Sequence, residues 1–440
     1  MFVKFFFYVY LFSLVPNALF GQWKLADDKE IIPFEFTHNL IIINAKVNDK
    51  ELKFILDTGS ERNLLFSIPE KDSIDFYNVK EIKLKGVTEN EPIIGMYSEN
   101  NRIQIGNYQN LNFKTLIVLD NNINLVNKIG VPVNGVLGSD FFKNHLVEID
   151  YSKKKIIVYS NEEKSNLSFL KKYNTKTIKL VNGKPYLNCT IGLSKNENYN
   201  LMLLMDTGLG DGLWLFENDS IKSNSNFFFD ILGRGLGGDI QGKKSRIDYL
   251  NFDDLKLPQA IVSYPDSTAV KMLELVKGRS GSLGGEVLKR FNWFIDYSNQ
   301  LVYFQKNKNY TFPFSYNMAG VEFQHAGSQL VEKNDNKTPY NFRISGSDDF
   351  VYLESLKRVK NNMQLKPIFE IYAIRKNSVA ERVGLKIGDL LVSINKQKAY
   401  NLDIQKITDL FQSEEGKYIT IEVNRNGKLL KFKFQLEKVL

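Results

Sequence analysis

Cysteine and histidine are nearly missing from this chain. Its 440 residues hold one cysteine, Cys189. No intrachain disulfide can form, so an apolar core must hold the fold. Cys189 lies in the strand-like run Tyr186-Leu187-Asn188-Cys189-Thr190-Ile191 and beyond any leader, which makes it a buried, inert thiol rather than a nucleophile or lipid-anchor site. The three histidines, His38, His145 and His325, are not spaced like metal ligands. With no G-x-S-x-G elbow either, a His-dependent hydrolase is hard to build here. Blocks of five or six like charges are also lacking. The net charge of +8 comes from scattered lysines, which reads as solvated surface and not as a nucleic-acid or membrane patch. We expect no metal and no cofactor.

What remains is an ordinary globular composition, with 43% hydrophobic and 25% charged residues and room for two or three domains. One apolar run stands out. Lys4 precedes Phe5 to Val15, followed by Pro16, Ala18 and Gly21. That is a basic n-region, a short h-region and a cleavage zone, so residues 1–21 read as a signal peptide. The expected location is the periplasm or the outside of the cell. Leu19 and Gly21 make an imperfect cleavage site, so the alternative is an uncleaved leader acting as an anchor. No second apolar stretch is long enough to span a bilayer. Lys24 to Glu30 is a candidate remnant of a short pro-segment.

The chemistry gathers at Phe54-Ile55-Leu56-Asp57-Thr58-Gly59-Ser60, where a strand-like run delivers a carboxylate into a tight turn. An acid behind three apolar residues is expensive to ionise unless a neighbour stabilises it. The pattern returns 149 residues later as Leu203-Leu204-Met205-Asp206-Thr207-Gly208. One such tripeptide is a weak signal; two, each after an apolar run, are a strong one.

Further matches keep their order. Arg102-Ile103, Leu111, Phe113 and Ile117-Val118 find counterparts 144 residues on in Arg246-Ile247, Leu255, Leu257 and Ile261-Val262. Gly135-Val136-Leu137-Gly138 maps at 146 onto Gly281-Ser282-Leu283-Gly284, and Ile149-Asp150-Tyr151-Ser152 onto Ile295-Asp296-Tyr297-Ser298. Drift of the offset by a few residues is what loop-length changes produce. The chain from about 30 to 306 is therefore two copies of one β-rich half, expected as lobes 30–160 and 175–306.

Two carboxylates presented alike at a seam cannot both ionise, so one proton is shared. The charged member can take a proton from water while its protonated partner polarises a substrate carbonyl. Thr58 and Thr207 can cross-link the turns beneath the acids, and Gly59 and Gly208 allow close backbone approach.

The two Asp-Thr-Gly turns, each followed by a hydrophobic-Leu-Gly motif (Val136-Leu137-Gly138 and Ser282-Leu283-Gly284), resemble the aspartic protease clan. Both halves lie on one chain, as in pepsin, while each compact, disulfide-free half is more similar to a retropepsin unit. The resemblance implies a mainly β, two-lobed fold, peptide hydrolysis by Asp57 and Asp206, an extended polypeptide in the interlobe cleft, and glycine-bounded flaps. Flap candidates run from Gly86 to Gly95 and from Gly233 to Gly242, the second including Gly235 and Gly238. Gly233 to Gly238 formally satisfies G-x-G-x-x-G, but no convincing helix follows, so a mobile hairpin is the better reading than nucleotide binding. Tyr97 is either a cleft cover or a packed surface ring. The copies differ after the turn: Ser60 can donate to an ionised Asp57, whereas Leu209 cannot assist Asp206. We therefore expect Asp57 to be charged and Asp206 to hold the proton, unless Ser60 turns away.

From about 316 the texture changes. Asn377-Ser378-Val379-Ala380-Glu381-Arg382-Val383-Gly384-Leu385-Lys386-Ile387-Gly388-Asp389 predicts a short helix from Ser378 to Gly384 and then a strand. A second helix over Ile404 to Phe411 and a hairpin turned at Asn426-Gly427 follow. The Ser-x-Ala-x-x-x-Gly-Leu-x-x-Gly-Asp run is similar to a bacterial-type PDZ domain. That implies an α+β module over 316–440 binding a peptide C-terminus or internal segment, with an insertion at 327–366. Its carboxylate-binding loop is placed at Gly320, Val321 and Phe323, with a plain linker strand as the alternative. The expected protein is an exported aspartic endopeptidase whose PDZ domain binds peptide tails or regulates access. The alternative is an inactive peptide-binding scaffold.

Overall fold

The computed structural model describes residues 23–68, 73–84, 93–118, 132–194, 197–235, 238–272, 276–332 and 363–440. Its architecture is mainly β. Each repeat folds into its own large sheet, nine-stranded in the first and ten-stranded in the second. In both, the apolar run before the Asp-Thr-Gly turn is a central strand: Lys50–Leu56 in one lobe, Glu197–Met205 in the other. Near-continuous burial of Phe54, Ile55 and Leu56, and of Leu203, Leu204 and Met205, explains why these runs do not alternate like half-exposed strands.

The hydrophobic-Leu-Gly motifs take the matching place in each lobe. Gly135–Leu137 runs parallel to the strand that leads into Asp57, with Leu137 opposite Leu56. Arg279–Leu283 does the same in the second, with Leu283 opposite Met205. The amides of Asp57 and Asp206 donate to the carbonyls of Leu137 and Leu283, both at 2.9 Å. Each acid is thus pinned by the motif 80 residues or so downstream.

A third, six-stranded sheet joins the lobes. Leu146–Asp150 pairs antiparallel with Phe291–Asp296, and Glu148 lies opposite Phe294, its own counterpart at the 146-residue offset. The pseudo-twofold axis passes through that pair. The second half therefore folds back on the first within one chain.

Lys24 to Glu30 is not a detachable remnant. Lys24–Leu25 pairs with Gln109 and Tyr108, and Lys29–Pro33 forms the outer strand of the interlobe sheet against Lys155–Tyr159. Trp23, 2% exposed, stacks on Tyr108 at 4.6 Å between ring centroids. These contacts make the segment part of the body.

The C-terminal module is a six-stranded sheet with helices Val379–Arg382 and Ile404–Phe411. Both are capped: Ser378 Oγ accepts from Glu381 N at 3.3 Å and Asp403 Oδ1 from Lys406 N at 2.7 Å. The Asp of the Gly-Asp pair is structural, since buried Asp389 receives two bonds from Arg425, 2.6 and 2.7 Å long. The hairpin turns at Asn426 and Gly427, both at positive φ. The expected insertion has strand at both ends. Val321–Glu332 and Met363–Ile374 pair as one long hairpin, so 327–332 and 363–366 are strand; the rest of that insertion lies outside the described residues. Among the described residues, no helix is long and apolar enough to cross a membrane.

Candidate active site

The sequence places two carboxylates 149 residues apart, and the fold brings them face to face. A Cβ built on Gly59 would lie 2.6 Å from Asp206 Cγ, and one on Gly208 would lie 2.3 Å from Asp57 Cγ. Only glycine permits this approach of each turn to the opposite acid. Beneath the acids the threonines interlock. Thr58 N donates to Thr207 Oγ1 at 3.0 Å and Thr207 N to Thr58 Oγ1 at 3.1 Å. Their hydroxyls cross to the opposite strand: Thr58 Oγ1 to Met205 O at 2.6 Å, Thr207 Oγ1 to Leu56 O at 2.7 Å. Both threonines are buried, so every one of these bonds is shielded from water.

Each acid accepts from its own turn, Asp57 Oδ1 from Gly59 N at 2.7 Å and Asp206 Oδ1 from Gly208 N at 3.1 Å. Each packed against the opposite turn, the two buried carboxyls cannot both ionise, so one proton is shared between them. Burial pushes Asp57 up to about 8, and the charge of Asp206 adds to the rise against the bond from Gly59. Burial raises Asp206 too, but the Arg279 cation and the hydrogen bond from Asp57 work the other way. The Arg279 cation thus favours the charge on Asp206 and the shared proton on Asp57.

The expected assignment, a charged Asp57 and a protonated Asp206, loses its basis. Ser60 Oγ donates to Arg62 O at 2.8 Å and turns away from Asp57, so the hydroxyl meant to stabilise a charged Asp57 is used elsewhere. The cation that sequence reasoning missed is Arg279. Its guanidinium bonds Ser282 Oγ at 2.7 Å and Gly281 O at 3.2 Å, and it lies over Phe216. A signal was available. At the 146-residue offset, Arg279 and Ser282 stand where the first copy has Val133 and Val136, a polar pair in place of an apolar one.

The second flap candidate is a hairpin, Phe227–Gly235 against Gly238–Arg246, with Gly235 opposite Gly238. No helix follows the G-x-G-x-x-G pattern. In the first, Lys80–Leu84 pairs with the start of Ile93–Ile105 and Gly95 lies opposite Ile82; Gly86 is outside the described residues. Tyr97 hydrogen-bonds Glu99 and lines a cavity of about 470 Å³ beside the first turn, with Glu61, Arg62, Asn63, Lys114 and Lys143.

At the PDZ end, Val321 and Phe323 are buried and Phe323 stacks on Phe411 of the long helix. Gly320 has φ 72°, but its amide already donates to Asn317 Oδ1 at 2.9 Å. The three residues lie together at the head of the helix-facing strand, with that amide engaged internally.

Residues 43–141 match the family model described as aspartyl protease, and residues 370–425 match that of the PDZ domain. The chain carries an aspartyl protease domain and a C-terminal PDZ domain. Among similar solved structures is the aspartic proteinase from Irpex lacteus, 12% identical, with 64% of this chain and 99% of that chain covered and a TM-score of 0.40. No curated protein matches the sequence.

Proposed function

We propose that the chain is an exported aspartic endopeptidase that hydrolyses peptide bonds by a water activated between Asp57 and Asp206. One observation carries this reading: two buried carboxyls set over interlocked threonines, each packed against the opposite turn's glycine. In the first step Asp206 takes a proton from water while Asp57 gives its proton to the scissile carbonyl oxygen. Hydroxide adds to the carbonyl carbon, giving a neutral tetrahedral diol. In the second step Asp57 regains a proton from one hydroxyl as the carbon–nitrogen bond breaks, and Asp206 delivers its proton to the departing amine. Each acid ends as it began, and no covalent intermediate forms.

Export is supported by the basic n-region and apolar h-region of residues 1–21. The PDZ domain is a second site for polypeptide, a peptide tail or internal segment, beside a cleft that would take the substrate. The charged lining of the cavity by the first turn favours polar over purely aliphatic side chains there.

The test is incubation of unfolded casein with the purified protein, alongside the Asp57→Asn and Asp206→Asn variants, from acid to neutral pH. Cleavage by the parent and by neither variant supports the reading. Equal cleavage by all three means a contaminant, and cleavage by none leaves a peptide-binding scaffold.

A further inference from the structure

The two catalytic turns depart from each other just past their glycines. The first continues Ser60-Glu61-Arg62, the second Leu209-Gly210-Asp211. At the 149-residue offset, Gly210 replaces a glutamate and Asp211 reverses the charge of an arginine. The surroundings of those two residues explain the change.

Gly210 faces the tight turn His38-Asn39 of the first lobe, both residues at positive φ. A Cβ on Gly210 would lie 2.4 Å from the His38 carbonyl oxygen, a backbone atom that cannot move aside. Asn39 Nδ2 donates to Gly210 O at 2.9 Å, and Lys289 Nζ holds Asn39 Oδ1 at 3.0 Å. On its other side this same turn reaches the PDZ domain: His38 N donates to Gln405 Oε1 on the helix Ile404–Phe411, at 2.6 Å.

Asp211 leads to the PDZ domain by a different route. Its carboxylate accepts from Trp214 Nε1 at 3.1 Å and Ser263 Oγ at 2.5 Å, and Lys244 Nζ stands 3.5 Å away. Lys244 belongs to the second flap hairpin, and it also approaches Asp230 on the opposite arm at 3.8 Å. The PDZ residues Glu322 and Arg375 complete the group. Glu322 acts on Lys244, and Arg375 acts on Asp230 while lying over Phe228 at 4.2 Å. Asn317 ties the two together: its side-chain amide donates to Glu322 Oε1 and its carbonyl accepts from Arg375 Nη1. Charges this little exposed are retained only when paired. The apolar core is likewise continuous from the second lobe into the PDZ strands.

We infer that the PDZ domain is a positioning element of the second catalytic turn, gripping Gly210 through His38-Asn39 and Asp211 through Lys244. Docked PDZ residues hold the turn that presents Asp206 and brace the base of the second flap. This rests on the endopeptidase reading for its catalytic consequence, but not for its structural one.

The test is amide hydrogen exchange of the full chain across residues 205–215, compared with the first turn at 57–65. Glu322→Gln and Arg375→Gln touch neither turn. Each is expected to speed exchange in 205–215 about tenfold and to leave 57–65 unchanged. Lys244→Met should do the same and Lys244→Arg should restore protection. In the cleavage assay these variants should lose kcat with KM little moved. Unchanged exchange in 205–215 for both PDZ-side variants overturns the inference, as does equal acceleration in both turns. Exchange needs no activity, so an inert parent enzyme would sink the endopeptidase reading without touching this one. Should Lys244→Met fail to fold, the two PDZ variants still decide, Glu322→Gln keeping the shape of the side chain.

Discussion

A methyl group decides much at Gly208, where a Cβ would sit 2.3 Å from Asp57 Cγ. Gly208→Ala must push the acids apart, and we expect cleavage to fall at least about 100-fold, as misplacement of reacting groups by an ångström does. Circular dichroism should remain native. Asp57 itself carries a stability signature. Its folded-state pKa is raised to about 8 from 3.8, so the folded chain keeps a proton that the unfolded chain releases. The Asp57 contribution to stability is then fully present below about pH 4 and is lost as pH rises through about 8. Asp57→Asn removes this slope. Its Tm should exceed the parent's at pH 8, and the gap should close on acidification; a gap independent of pH would contradict a proton held on Asp57.

At the scale of elements, the threonine interlock is the joint most open to attack. Thr207→Val keeps the shape but removes a hydroxyl that donates to Leu56 O and accepts from Thr58 N. Two buried groups lose their partner, so we expect a loss of about 2–4 kcal/mol by urea denaturation. The sequence was most readable in such elements. The strands entering both Asp-Thr-Gly turns, the hairpin at Gly235 and Gly238, and the PDZ helices follow from apolar runs and glycines, which act locally. The orientation of Ser60 did not, because its hydroxyl had two acceptors within reach and only the folded turn chooses Arg62 O. Arg279 was hidden for a related reason: its influence on Asp206 crosses between strands, and one arginine among scattered basic residues is unremarked until the copies are laid side by side. The extent of the PDZ hairpin was missed because Gly327 and the polar residues after it look like loop, although Glu332 still pairs with Met363.

Across the whole molecule the two lobes share the interlobe sheet, and the second lobe shares its core with the PDZ domain. Calorimetry should therefore show one cooperative transition; a separate PDZ peak would mean that the module is only tethered. The central claim is that Asp57 and Asp206 share one proton, with Asp57 as its holder, and the pH profile of kcat/KM tests it most directly. We predict a bell whose acid limb marks protonation of Asp206 and whose alkaline limb, near pH 8, marks loss of the proton from Asp57. A rate that keeps rising beyond pH 9, or a profile unchanged by Asp57→Asn, would contradict it.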